Sequence, residues 1–568
     1  MSHWIILPVV LPAMLAAVII LVARHHVRVQ RVLSISGAIA LLAIAIGLII
    51  QADDGTVTLY QLGHWQAPFG IVLVADRLST YMVLLTAILA LLVIIHATGS
   101  GWDKRGNHFH ALFHFQIMGI MGAFLTGDVF NLFVFFEVLL ISSYGLIVHS
   151  GGSYRLRTGT QYVLFNLLGS TLFLFALGLI YAETGTLNMA DLAQRIPLID
   201  LDANAGIRIA AVLLLLVFAV KGALVPLHFW LPSAYSAAPA PVAALFAIMT
   251  KVGAYAIIRV YTLVFAPDLE VTADLYSVWL LPLALFSMGI GMVGALAAMR
   301  VDRMIAFSVI GSMGMVMTAI AVMTPDSITA ALYYIPHSTF ATAALFLIAD
   351  LVIENRGKMG ARLEASEPIP GAAYVAAMFF IAAIAMVGMP PLSGFIGKLL
   401  ILQASIASDL VVWVWAVVLI SSLIAIMAFA RAGSVLFWKA KQTDDGQELD
   451  ENCSEEEVAR ARTASELRPT KELPLLAILT LIGLLIVHTV LAGQITTYLR
   501  DTTAQLFAPD NYISTVLGTE GKTFGSHGDK AKGSDHGEDK EASPGEAHLA
   551  DVESRDGAED KGDEEDTQ

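Results

Sequence analysis

The feature that most restricts how this chain can fold is a succession of about fourteen long apolar runs. They lie near residues 4–22, 32–50, 78–98, 111–126, 129–148, 161–181, 207–230, 242–265, 277–298, 304–323, 328–353, 372–402, 411–437 and 473–491. Most approach the ~20 residues that a helix needs to cross a bilayer. Hydrocarbon offers the backbone no partners, so only helices or closed barrels can span it. The strict alternation of a membrane barrel is absent. Of the 568 residues, 57% are hydrophobic and 14% charged, whereas soluble domains carry about 25% charged residues. The sequence therefore predicts an all-α polytopic membrane protein with about fourteen transmembrane helices. The first run lacks a small-residue cleavage pattern and is read as a helix rather than a signal peptide.

Five ionisable side chains fall inside these runs: Glu137, Lys221, Lys251, His337 and Lys398. A charge near the bilayer centre costs roughly 2.5–3.5 kcal/mol on insertion scales, so such groups face a bundle interior or a hydrated path. Two runs are interrupted close to a lysine. One reads Val220-Lys221-Gly222-Ala223-Leu224-Val225-Pro226-Leu227-His228, and the other reads Gly388-Met389-Pro390-Pro391-Leu392-Ser393-Gly394 just before Lys398. Broken segments in corresponding halves point to the ion path of a transporter.

Lys221, beside its bend, can reach a hydrated pocket, and Glu137 is the carboxylate placed to pair with it. Burial and a nearby carboxylate act on a lysine in opposite senses, which makes its charge movable. Strong coupling would make the titration a property of the pair; the same two residues would also serve as a static ion pair between helices. Lys251 lies too deep to snorkel with ease and is read as a relay. His337 follows Pro336 and suits a proton carrier, or a neutral histidine bonded between helices. Lys398 couples the second break to either surface, or snorkels. His228, Ser142, Ser170, Thr171 and Ser312 are secondary candidates for carrying water through the bundle, although small hydroxyl residues also serve packing. Arg259, nearer a helix end, is expected to snorkel. His108, His110 and His114 lack a carboxylate or thiol to complete a site, so no metal is expected.

Other chemistries are disfavoured. The one cysteine, Cys453, permits no internal disulfide and no four-thiolate cluster. No phosphate-binding loop or dinucleotide fingerprint occurs. We expect no cofactor, no enzyme activity and no nucleic-acid partner; energy must come from an ion gradient or from partner subunits.

Basic loops alternate with acidic or neutral ones. Arg24, Arg28 and Arg31, then Lys104 and Arg105, Arg155 and Arg157, Arg300 and Arg303, Arg356, Lys358 and Arg362, and finally Arg431, Lys439 and Lys441 mark the cytoplasmic side. Asp53 and Asp54, Glu183 to Asp202, and Asp268 to Asp274 mark the other. An even number of spans puts both termini outside. From residue 521 onward there are 15 acidic and 6 basic side chains, a composition read as disordered. The expected organisation is N-terminal helices over 1–110, two halves at 111–265 and 266–437, a cytoplasmic loop at 438–472, a last transmembrane helix within 473–500 and an acidic external tail at 501–568.

The motifs Asp128-x-x-Asn131-x-Phe133-x-x-Phe136-Glu137, Lys221-Gly222-x-x-x-Pro226-x-His228-x-Trp230-Leu231-Pro232-x-Ala234, Ala238-Pro239 and Lys251-Val252-Gly253-Ala254-Tyr255 occur in this order. With them the chain resembles the antiporter-like subunits shared by complex I and Mrp-type multisubunit sodium/proton antiporters. Tyr235, Ser312 and the stretch from Gly388 to Lys398 make it most similar to the Mrp D-subunit branch. The resemblance implies two inverted repeats with broken helices. Glu137 and Lys221 would be the pair of the first repeat, Lys251 the central bridge, and His337 with Lys398 the counterpart in the second. It further implies a proton-translocating subunit of a hetero-oligomeric complex in a bacterial cell membrane, exchanging sodium and protons under the proton motive force. The alternative is a proton-pumping membrane subunit of an NADH:quinone oxidoreductase or membrane hydrogenase.

Overall fold

A backbone surrounded by lipid must satisfy itself, and the computed structural model does so with helices nearly everywhere. It describes residues 3–199, 205–269, 275–367, 369, 371–439 and 472–521. Cys453, Lys441, most of the predicted cytoplasmic loop, the acid-rich segment after residue 521, and Asp200, Asp202, Glu270 and Asp274 lie outside the described residues.

The chain opens with α1 (Leu7–Leu21) and α2 (Val27–Ala52), followed by a hairpin of β1 (Thr58–Gln61) and β2 (Val72–Ala75). Next come α3 (Arg77–Ser100), α4 (Phe109–Leu125), α5 (Val129–Ile147), α6 (Ser153–Thr184), the short α7 (Met189–Arg195) and α8 (Ala205–Lys221). The middle comprises α9 (Trp230–Ala237), α10 (Ala240–Leu263), α11 (Leu281–Ala297), α12 (Val301–Val322) and α13 (Pro325–Asn355). The remainder is α14 (Ala372–Val387), α15 (Ser393–Ala404), α16 (Val411–Gly433), α17 (Glu472–Val490), α18 (Ala492–Phe507) and α19 (Asp510–Gly518).

Every predicted apolar run carries helix. Among the described residues, ten helices are long and apolar enough to cross a membrane, and four apolar helices are shorter. The run at 207–230 stops its helix at Lys221, and the run at 372–402 divides into α14 and α15.

Burial is uneven in an informative way. α10 and α13 are buried on every side through their apolar stretches, whereas α2 and α16 expose most of theirs. A helix apolar all round belongs at the centre of a bundle, and α10 and α13 pack against each other there. Lys251 and His337 sit on these two central helices, each 0% exposed. Pro336 cannot supply the N–H that Leu332 would normally receive. The Tyr81 hydroxyl takes that carbonyl instead, at 3.3 Å.

Gly253 lets α10 touch the end of α8. A Cβ there would lie 2.9 Å from the Phe218 carbonyl oxygen and 2.9 Å from the Gly222 nitrogen, both of them backbone atoms that cannot swing aside. Gly253→Ala is expected to cost about 1–3 kcal/mol through overpacking. Thermal unfolding of the purified assembly measures this; an unchanged midpoint would contradict the contact.

The all-α architecture carries one small extra element and one corrected region. The hairpin pairs Thr58 with Ala75 and Gln61 with Val72 in antiparallel register, outside the membrane-spanning helices. Residues 501–507 and 510–518, grouped above with the tail, are helical and belong to α18 and α19. α18 buries Leu499, Thr502, Thr503 and Leu506 on one side, an amphipathic spacing, and lies across α13 and α10. Thr503 Oγ1 meets Thr329 Oγ1 at 2.9 Å, and Gln61 Nε2 donates to the Thr519 carbonyl at 2.9 Å. Together α18 and α19 cover the face opposite the basic loops.

Candidate ion-translocation site

The first broken helix sets out its own chemistry. α8 ends at Lys221, and Ala223 takes a left-handed backbone with φ +54°, a conformation that costs a non-glycine residue roughly 1–2 kcal/mol. The turn lets Leu224 N donate to the Ala219 carbonyl at 3.0 Å, satisfying one of the acceptors left at the helix end. The Trp230 indole donates to the Val220 carbonyl at 3.1 Å, and Val225 N donates to Ser287 Oγ at 2.8 Å. Protein groups thus take up backbone atoms freed by the break, as a low-dielectric setting requires.

Lys221 is buried, and its Nζ donates to Asn166 Oδ1 on α6 at 3.2 Å. It lies 5.9 Å from the centre of the Phe136 ring. Glu137, half-buried on α5, accepts from the Ser170 hydroxyl. Asn166 and Ser170 stand four residues apart, on one side of α6, and Ser170 Oγ also donates to the Asn166 carbonyl at 3.1 Å. The expected pair is therefore not a direct ion pair. α6 supplies an amide and a hydroxyl that link the carboxylate to the ammonium.

The second break has a different solution. α14 ends at Gly388, whose φ of +74° suits glycine. A Cβ there would come within 2.7 Å of the Lys398 side chain. The missing side chain leaves room for Lys398 to reach back from α15, and its Nζ donates to the Val387 carbonyl at 2.5 Å and to Ser422 Oγ at 2.6 Å. A cation at the last carbonyls of a helix is favourably placed against its dipole. Lys398 is 8% exposed, so the snorkelling alternative does not describe it.

Between the breaks stand the two central groups. Among the described residues, Lys251 Nζ has one hydrogen-bond partner, its neighbour Thr250 Oγ1, at 3.5 Å. His337 Nδ1 lies 2.9 Å from Ser393 Oγ, at the start of α15. Its Nε2 has no hydrogen-bond partner among the described residues. Lys251, Lys398 and His488 all lie within coulombic reach of His337.

The secondary candidates divide. Ser170 belongs to the Glu137 site, and Ser312 Oγ meets Ser338 Oγ at 2.6 Å beside His337. Ser142 turns back to the Val138 carbonyl at 2.9 Å. Thr171 sits exposed on the outer side of α6, bonded to the Leu167 carbonyl at 2.9 Å. His228 is buried within the first break, with its Nδ1 unpartnered among the described residues.

Arg259 does not snorkel. It is 3% exposed, and its guanidinium grips Asp76 at 2.6 and 2.7 Å. Asp76 is also the N-cap of α3, so the pair fastens α3 to α10. The motif residue Asp128 is a cap as well, accepting from Asn131 N at 2.9 Å at the start of α5, while Asn131 Nδ2 donates to Thr126 Oγ1 at 3.0 Å. His110 lies beside a carboxylate after all, 3.3 Å from Asp103 Oδ2, which Arg31 also holds at 2.6 Å. No metal-binding group of three or more ligands occurs among the described residues.

Sequence reasoning passed over Asn166, Ser393, Ser422 and His488. Asn166 carried a usable signal, since it and Ser170 recur at helical spacing within an otherwise apolar run. His488, whose Nε2 lies 3.1 Å from the Tyr333 carbonyl, gave none beyond its place in the last apolar run.

The family described as NADH:quinone oxidoreductase/Mrp antiporter, transmembrane, matches residues 126–425, the stretch holding both breaks and all five ionisable groups. The chain belongs to this family. Within the NADH:quinone oxidoreductase/Mrp antiporter family it falls among the antiporter D subunits. It is 37% identical to the D subunit of the Na(+)/H(+) antiporter of Alkalihalophilus pseudofirmus over 91% of this chain and 100% of that one. It is 34% identical to the D subunit of a probable K(+)/H(+) antiporter of Rhizobium meliloti, over 91% of this chain and 98% of that one. Among solved structures it resembles a chain of the Mrp complex from Dietzia sp. DQ12-45-1b, with a TM-score of 0.78 and 28% identity, covering 91% of this chain and 100% of that one. A chain of respiratory complex I from Thermus thermophilus shares the fold, with a TM-score of 0.72 at 24% identity over 91% of this chain and 100% of that one.

Proposed function

We propose that this chain is the proton-translocating subunit of a multisubunit sodium/proton antiporter, working with other membrane subunits and driven by the proton motive force. One observation carries the reading. A buried lysine stands at each of two helix breaks, and Lys251 and His337 occupy the buried central helices between them.

A proton arriving at Glu137 or Lys221 changes the net charge of that site. Two unit charges about 10 Å apart, at an effective dielectric of about 20, interact by about 1.7 kcal/mol, more than a tenfold change in an equilibrium. Each titration thereby biases the next along Lys221, Lys251, His337 and Lys398. Residues 111–265 and 266–437 act as the two inverted repeats of this relay. The basic loops face the cytoplasm and both termini face outward.

Reconstituted complex in proteoliposomes tests the proposal. Imposed sodium gradients are expected to drive proton movement, and potassium gradients to do so less well. Glu137→Gln, which keeps an acceptor for Ser170 but cannot ionise, is expected to lower exchange by about 100-fold while assembly persists. Wild-type rates in that variant, or proton movement indifferent to the cation, would refute the assignment.

A further inference from the structure

A cavity of about 520 Å³ opens on the side of the basic loops and penetrates between α9, α10 and α13. Its walls include Trp102, Tyr235, Ala240, Phe346 and Asp350. Asp350 is the buried acid of α13, at 3% exposure. It accepts from Trp102 Nε1 at 3.0 Å and lies 2.9 Å from His96 Nε2 on α3. His96 is 0% exposed, and its Nδ1 has no partner among the described residues. At the rim Arg105 pairs with Glu354 at 2.7 Å and stacks 3.8 Å above Trp102. None of these groups has a part in the relay described above.

Deeper in the bundle, beyond the apolar Phe346, two hydroxyls lie on the same side of α13. Positions 350, 346, 342 and 338 recur every four residues, a spacing of about 6 Å along the axis. Phe346 lines the cavity. One turn further in, the buried Thr342 hydroxyl has no partner among the described residues. One turn beyond that, Ser338 meets Ser312 next to His337. An unpartnered hydroxyl at that depth is the kind of group that ordered water satisfies.

We propose that this cavity is the proton port on the basic-loop side, with the Asp350 and His96 pair as the site from which protons leave the relay. The inference rests on the proton-translocation reading above and adds the place where that relay exchanges protons with water. A proton arriving from the His337 end past the Ser338 and Thr342 hydroxyls, with ordered water spanning the turn occupied by Phe346, is taken up at Asp350 and released into the cavity. A sodium cage is not what the site offers. Asp350 is already engaged by Trp102 and His96, and hard cations want several oxygen ligands at once.

The test uses the assembled complex in proteoliposomes, with Lys221→Ala measured alongside. Asp350→Asn keeps the acceptor for Trp102 but cannot bind and release a proton as a carboxylate does. It is expected to slow proton-coupled exchange about tenfold, with Asp350→Glu restoring most of the rate. Independently, Ala240→Cys in a chain with Cys453 replaced by Ser is modified with a charged thiol reagent, and exchange is expected to stop. More than half the wild-type rate in Asp350→Asn, or full modification at residue 240 without slowing, overturns the port. If Asp350→Asn fails to assemble, the thiol result alone decides. Loss in Lys221→Ala with both port results negative removes the port and leaves the relay; wild-type rates in Lys221→Ala remove the relay.

Discussion

Lys221→Ala yields a complex that assembles in normal amount and exchanges ions at roughly one-hundredth of the wild-type rate or less, the scale on which a proton-transferring group is missed. The side chain sits at the last turn of α8, and the break that follows it is held by Trp230, Ser287 and the turn at Ala223 rather than by the ammonium. Removing the ammonium leaves Asn166 Oδ1 without its donor, a modest structural loss of about 1–3 kcal/mol in a large bundle. The companion variant Lys221→Arg separates charge from titration. Arginine keeps a cation near Asn166 and Phe136 but does not release its proton in proteins. A static helix fastener would tolerate it, whereas a relay fails with it. Proton flux in proteoliposomes, set against complex quantified on native gels, decides between them, and substantial exchange by Lys221→Arg would end the relay.

The second large effect concerns folding. Asp76→Asn or Arg259→Met each strands a buried partner and is expected to destabilise the protein by about 3–5 kcal/mol, with the assembled complex nearly lost. The pair is bidentate, almost fully buried, and joins the start of α3 to α10. Replacing both residues together with apolar ones of similar size is expected to recover much of the stability, since two neighbouring charges removed together leave neither uncompensated. Thermal unfolding of the wild type, both singles and the double gives the coupling directly. Single variants within about 1 kcal/mol of wild type would show that the pair behaves as an exposed one.

What could be read beforehand follows from how strongly lipid constrains a chain. The apolar runs were legible because unpaired backbone is forbidden in hydrocarbon, and the breaks were legible because Gly222, Pro226, Pro390 and Pro391 stand beside lysines. The hairpin was not, since four-residue strands such as Thr58–Gln61 carry too few positions to show a period. α18 escaped because its polar and apolar residues average out along the sequence and separate only around the helix axis. Arg259 was misplaced for a plainer reason: Asp76 lies 183 positions away, and no local pattern announces such a meeting. The Glu137 site was largely legible, because its charged members stand out and Ser170 is a hydroxyl candidate, while the Asn166 amide between them, one helical turn from Ser170, was passed over.

The cover formed by α18 and α19 also sets an order of manufacture. Gln61 waits for the Thr519 carbonyl and Gly55 for the Gln505 amide, groups separated by 458 and 450 positions. A ribosome that stops after Leu491 has delivered every apolar run to the membrane and still leaves the hairpin with its partners unmade. Only α18 and α19, made after the last apolar run, complete a surface whose other half was among the first to emerge.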